Sequence, residues 1–256
     1  MATRFTTKLI DPGRLAPEAR RALTDALYAT HQQVFSGVDR DAFGAYVIDS
    51  PADWTRVLTL RDASARLRGY AAMHVFLQRH VGRDMAIVRM EISAEPAFRH
   101  ASFAGRFIAS QAVSLSLRYP GRPRYLFACF VHPSAYVSLC RHAPRVWPHP
   151  ERPTPPHIEA LLLSLQRQFK LRPVGEGLVD VGWIARPDGR SHRRLSPEAR
   201  FYLARNPGYV HGHGLMTLVD LSTPSAVQGS LHFVAHQLQR RWPRRLLEAR
   251  GVLSAV

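Results

Sequence analysis

Pro96, Arg99, Ser102, Ala104 and Gly105 follow an apolar run at residues 85–92, and their types and spacing describe a place where an anion can sit. The run has strand character, Pro96 breaks it, and apolar spacing predicts a helix over residues 103–118. A first helical turn with so little side-chain bulk lets an anion approach free backbone N–H groups, where the helix dipole also favours negative charge. Residues 99–104 therefore predict a phosphate or pyrophosphate cradle. Glu91 interrupts the apolar run just before this loop. A carboxylate partly desolvated there has its pKa raised toward a value useful to a base. The alternative is that Glu91 pairs with Arg89 or another of the many arginines. His132 follows a second apolar run at residues 125–131. Histidine at the C-terminal end of a strand faces the site in many α/β enzymes and titrates near neutral pH. It is expected to act as a base, to orient a substrate, or only to cap the helix that follows.

Positioning these residues requires a definite set of elements. Residues 54–60 and 67–77 alternate apolar and polar side chains around a turn at 62–65, which predicts a hairpin. The strand at 85–92, the helix at 103–118, a Tyr-Pro-Gly-Arg-Pro break, a strand at 125–131 and a short helix at 134–142 complete the run.

This order, with Pro96, Arg99, Ser102 and Ala104 in the loop and Phe103, Phe107 and Ile108 after it, resembles the GCN5-related N-acetyltransferase (GNAT) superfamily. The family's motif is Pro-x-x-Arg/Gln-x-x-Gly-x-Gly/Ala, and Ser102 stands here in place of the first glycine. The resemblance covers roughly residues 20–150. It implies an α/β fold with a mixed central sheet, splayed central strands and flanking helices, extended by a helical C-terminal part. It implies acyl-CoA, or an acyl-phosphopantetheine on a carrier protein, as donor, and the amine of a small molecule, amino acid or peptide as acceptor. The loop residues Arg99, His100, Ala101, Ser102, Phe103 and Ala104 would then hold the pyrophosphate, and a backbone N–H at Ile92 or Ser93 the thioester carbonyl. Glu91 or His132 would be the base. The family's tyrosine, which protonates the leaving thiolate, falls on Cys140, and the family's Gly-Phe is replaced by Ala143-Pro144. Tyr136, one turn earlier, is the expected substitute acid; Cys140 would donate or be only core. Cys140 and His142 are two apart on a helix and do not face each other as a nucleophile pair would.

Beyond the core, residues 15–31 predict a helix, which in this family roofs the acceptor site, and residues 43–48 an added edge to that roof. Residues 143–157 hold six prolines and predict an extended connector outside the core. A helix at 158–169, strands at 178–185 and 215–221, a short helix at 197–204 and a basic amphipathic helix at 226–241 are expected after it, within one domain. His211-Gly212-His213-Gly214 supplies too few ligands for a zinc site and predicts a glycine turn, so no metal is expected.

With 46% hydrophobic and 21% charged residues the chain belongs with folded proteins. Neither a membrane span nor a secretory signal is expected, and the two cysteines are expected as reduced thiols in the cytoplasm. The formal charge of +16, almost all from arginine, sets up a field that attracts anions. Arginine clusters fall at residues 190–194 and 240–245, without a recognised nucleic-acid motif. With the resemblance, these features lead us to expect an N-acyltransferase for medium or long acyl chains in specialised metabolism, aided by an acidic carrier protein. The alternatives are an inactive GNAT-like module that binds acyl-CoA, and an acyltransferase directed to aminoacyl-tRNA.

Overall fold

The computed structural model describes residues 5–98, 103–186 and 195–222. Arg99, His100, Ala101 and Ser102 of the expected cradle, the arginine clusters at 190–194 and 240–245 and the expected helix at 226–241 lie outside the described residues.

The chain begins with β1 (Phe5–Ile10), then α1 (Pro17–His31), a short β2 (Phe35–Ser36) and α2 (Arg40–Val47). Pro17 opens α1, where its missing N–H is no loss, and the Asp39 carboxylate caps α2 by accepting from Ala42 N at 2.7 Å. The hairpin follows as β3 (Trp54–Asp62) and β4 (Leu67–His80), then β5 (Arg83–Ala94), α3 (Phe103–Arg118), β6 (Arg124–Phe130) and α4 (Pro133–His142). The last third adds β7 (Val146–Trp147), α5 (Pro156–Gln168), β8 (Arg172–Gly175), β9 (Leu178–Asp180), β10 (Ile184–Ala185), α6 (Pro197–Arg205) and β11 (His213–Asp220).

The main sheet has the order β1-β3-β4-β5-β6-β11-β9-β8. Its strands pair antiparallel except β5 and β6, which run parallel. The sheet is therefore mixed and flanked by helices, as the sequence predicts. Strand alternation divides the core. Ala71, Met73, Val75, Ala86, Val88 and Leu126 pack with Phe103, Phe107 and Leu115 of α3 and with Tyr136 and Tyr202 of α4 and α6. On the opposite face Tyr70 and Ala72 meet Leu23, Leu27 and Phe43 of α1 and α2, while Ile87, Phe127, Met216 and Leu218 meet Ile158, Leu161 and Leu165 of α5. Leu115 is almost wholly buried and lies on the α3 side. Leu115→Ala is expected to destabilise the protein by about 2–5 kcal/mol, read from a denaturant midpoint.

Several expectations are corrected. Residues 43–48, expected as an added edge to the roof, are mostly helix α2, which packs beside α1 over the sheet. Residues 178–185 do not form one strand: Gly182, at φ +73°, turns the chain while Asp180 Oδ1 accepts from Gly182 N at 3.0 Å. β9 therefore stays in the main sheet and β10 leaves to pair with β2. The proline-rich segment is not wholly outside the core. Val146 is buried, and β7 pairs with the part of the β11 edge that short β9 leaves uncovered. The glycine turn is present, with Gly212 at φ +84° leading into β11.

Candidate active site

β5 and β6 are held apart by their other neighbours. β4 pairs with β5 from His80↔Arg83 to Gly69↔Ala94, and β11 pairs with β6 from Asp220↔Tyr125 to Leu215↔Phe130. Between them β5 and β6 share only Ala86↔Arg124, Ile87↔Tyr125 and Val88↔Leu126. Beyond Val88 the pairing stops while β5 runs on to Ala94 and β6 to Phe130, so the two strands part and leave a gap. Parity identifies the backbone groups that face it. Ala86 N donates to Pro123 O on the β6 side at 3.0 Å, whereas Glu95 N donates to Arg68 O at 3.0 Å, just before β4. Because successive residues alternate, the N–H groups of Met90 and Ile92 face the gap and that of Ser93 faces β4. Of the two N–H groups that sequence left open, that of Ile92 lies on the gap side and that of Ser93 on the β4 side.

Glu91 is buried on the face covered by α1 and α2. Its Oε1 accepts a short hydrogen bond from the Tyr70 hydroxyl, and His31 Nδ1 lies 3.4 Å from the same oxygen and 3.3 Å from the Tyr70 hydroxyl. Tyr70 reaches it diagonally across the ladder, since Ala72 is the residue directly opposite Glu91. Burial pushes the Glu91 carboxyl above its ordinary value; the hydrogen bonds from His31 and Tyr70 pull the other way and are outweighed. Burial, then the neighbouring carboxylate, holds the Tyr70 phenol well above its ordinary value, so it remains a donor. Glu91 Oε2 is buried without a hydrogen-bond partner among the described residues, as is His31 Nε2. Arg89 is not the partner of Glu91; its guanidinium lies against the aromatic rings of Tyr46, Phe127 and Phe169.

Aromatic rings enclose the histidine that holds this carboxylate. Phe35, Phe43 and Trp183 surround the His31 ring at centroid distances of 5.1, 4.9 and 4.4 Å. Trp183 is brought there by β10, which pairs with β2, and by Arg186, whose N and Nε donate to Val34 O and Gln32 O, each at 2.8 Å. His31, Tyr70 and Trp183 were not singled out from sequence. The signals were present but weak: a histidine closing a helix and a tyrosine on the inward parity of a hairpin strand.

The other sequence candidates do not join this cluster. His132 caps α4, its Nδ1 accepting from Ser134 N at 3.2 Å. That is the capping role, and it uses one of the two ring nitrogens. Tyr136 is fully buried, and its hydroxyl donates to Pro148 O at 2.9 Å. Desolvation, then Cys140 beside it, pushes the Tyr136 phenol far up, so the proton is committed to the connector rather than offered to a leaving group. Tyr136→Phe is expected to cost about 1–3 kcal/mol, because it leaves a carbonyl unpaired, and to leave the pH profile of turnover in place. Burial raises the thiols of Cys129 and Cys140 to about 11, and both cysteines are free. A neutral thiol of this kind is no nucleophile. Glu95 is held by Arg68 at 2.9 Å, which ties the hairpin to the end of β5. Phe103 is buried at the start of α3 and Ala104 packs against the same core.

No protein-family model matches the sequence, and no curated protein matches it. Among solved structures, the fold is similar to a probable N-acyltransferase of unknown function from Enterococcus faecalis V583, with 11% identity and a TM-score of 0.37, over 54% of this chain and 32% of that one. It is similar to a GNAT family N-acetyltransferase from Escherichia coli in complex with CoA, with 16% identity and a TM-score of 0.36, over 54% and 68%. A third similar structure is glucosamine-6-phosphate N-acetyltransferase from Arabidopsis thaliana, with 10% identity and a TM-score of 0.35, over 54% and 90%. The strand order, and the short parallel ladder between β5 and β6, are features of this chain itself.

Proposed function

We propose that the protein is an N-acyltransferase of the GNAT type, which moves an acyl group from acyl-CoA to a primary amine. The observation that carries this is the buried Glu91 carboxylate beside the gap between β5 and β6, with one oxygen held by Tyr70 and His31 and the other unpartnered. The donor's pantetheine lies in the gap, and the N–H of Ile92, with that of Met90, stabilises the thioester oxygen as the carbonyl becomes tetrahedral. Glu91 Oε2 takes a proton from the amine, which then forms the new C–N bond as the C–S bond breaks. A thiol with an ordinary pKa of about 8.5 leaves readily as thiolate, so the commitment of Tyr136 to Pro148 does not block the reaction. Tyr70 and His31 fix the carboxylate, while Phe35, Phe43 and Trp183 pack around the His31 ring and hold it in place.

The same chemistry accepts an acyl-phosphopantetheine on an acidic carrier, for which the +16 charge supplies steering. The test is thiol release from acetyl-, octanoyl- and palmitoyl-CoA with a panel of amino acids, peptides and amino sugars. Amine-dependent release with one acyl length preferred is the expected result. A second reading, donor binding without transfer, is favoured by the buried Tyr136; CoA binding with no turnover on any amine would decide for it.

A further inference from the structure

We propose that the cleft between the ends of α2 and α5 is a carboxylate subsite built on Arg89, and that one of the two substrates carries a carboxylate into it. The subsite belongs to the acyltransferase proposed above and rests on that assignment. The cleft encloses about 320 Å³, and no Asp or Glu lines it. Its polar groups are those of a host for an anion: Arg89 at its base, Lys170 at its mouth and His74 on the β4 wall.

Arg89 is half-buried and has no carboxylate partner among the described residues, and its Nε is buried without a hydrogen bond. Arg56 and Arg68, also half-buried, have carboxylate partners, Asp11 at 2.8 Å and Asp62 at 2.7 Å, and half-buried Arg61 and buried Arg124 donate to backbone carbonyls. A guanidinium withdrawn from water without an anion is costly, so this one is held for an anion that arrives from outside. Its surroundings select the shape of that anion. Phe169 lies 4.5 Å and Tyr46 5.0 Å from the guanidinium carbon. Aromatic contacts that hold the cation in place leave the N–H fork to bind a carboxylate through two parallel hydrogen bonds. His74 adds a second donor. Thr55 Oγ1 lies 3.0 Å from its Nδ1, and with that hydroxyl donating, the ring proton sits on Nε2, which is buried and unpartnered. Burial, then Arg89, lowers the His74 pKa to about 4, so the ring is neutral at pH 7 and donates without adding charge.

Position ties the cleft to the reaction. Arg89 and Glu91 are two residues apart on one strand and share a face, so their Cα atoms are about 7 Å apart. An acceptor with its amine at Glu91 reaches Arg89 with its own carboxylate. The end of a short dicarboxylic acyl chain, its thioester at Ile92, reaches the same place.

The first measurement is calorimetric titration of the protein with phenylacetate and with its neutral isostere phenylacetamide. The acid is expected to bind roughly tenfold or more tightly than the amide, a difference lost in Arg89→Met. Arg89→Lys, which keeps the charge but not the fork, is expected to fall between, and it serves if Arg89→Met does not fold. Equal binding of acid and amide, or acid binding unchanged in both variants, overturns the subsite. Two transfer assays then name the source of the carboxylate: phenylalanine against phenylalaninamide as acceptor with acetyl-CoA, and succinyl-CoA against butyryl-CoA as donor. The arm that shows an Arg89-dependent preference for the acid identifies the substrate that carries it. Acid binding without any transfer keeps the anion site and removes the transferase. Transfer without acid preference keeps the transferase and removes the subsite.

Discussion

Glu91→Gln is expected to lower kcat by about 10²- to 10⁴-fold while the affinity for acyl-CoA stays unchanged. Glutamine preserves the shape of the side chain and can still accept from Tyr70, but its Oε2 position becomes an amide nitrogen with no basicity. Stopped assays of turnover, with calorimetry of CoA binding on the same preparations, separate the two effects. The pH dependence gives an independent signature. Burial raises the Glu91 pKa, so the base is switched on only above the ordinary carboxylate range, and the rising limb of activity lies at correspondingly higher pH. Stability moves the other way. A carboxyl whose folded pKa exceeds its unfolded value contributes stability below the unfolded pKa, and this is lost as pH rises through the folded one. The wild-type protein is therefore expected to lose stability over the interval in which it gains activity, and Glu91→Gln to lack both changes. A Glu91→Gln enzyme that turns over normally would transfer the base to another residue.

Gly37→Ala is expected to raise the acceptor KM roughly tenfold or more and to leave donor binding intact. Gly37 has φ +95°, which side chains rarely adopt, and an added Cβ would be driven into the carbonyl oxygen of Gly182. Backbone stands against backbone there, so neither side can yield without moving β10 from β2. That movement would carry Trp183 away from His31, the histidine that holds Glu91. Gly82→Ala is the control, because Gly82 also has positive φ, +74°, but a Cβ there meets nothing within 4 Å. It is expected to reproduce the backbone strain without the effect on KM.

The longer elements were legible in the sequence where one face of a helix or strand is buried. The period of α3 and the alternation of β3 and β4 follow from the side chains that reach the core. Strands at the sheet margins were not legible. β8 is exposed along its length and β1 mostly so, and neither shows alternation. The break within residues 178–185 depends on the positive φ of Gly182, which an apolar run conceals. At the site, Glu91 was legible because a carboxylate inside an apolar strand is out of place. His31 and Tyr70 were not, because their relation to Glu91 exists only once α1 is laid over β4 and β5. Tyr136 was placed by analogy with a motif, and its environment, with Pro148 O above and Tyr202 beside it, depends on the connector and α6 packing against α4. Arg89 looked like a partner for Glu91 because the two are neighbours in sequence. The aromatic rings of Tyr46, Phe127 and Phe169, from three other parts of the chain, hold it elsewhere.

The central claim is that an acyl donor lies in the gap between β5 and β6 against the N–H groups of Met90 and Ile92. Amide hydrogen exchange resolved to single residues, with and without acetyl-CoA, tests it most directly. The account predicts slower exchange at Met90 and Ile92 when the donor is present, with Ser93, already turned toward β4, changing little. Unchanged exchange at Met90 and Ile92 under saturating acetyl-CoA, or protection confined to another face of the sheet, would contradict it.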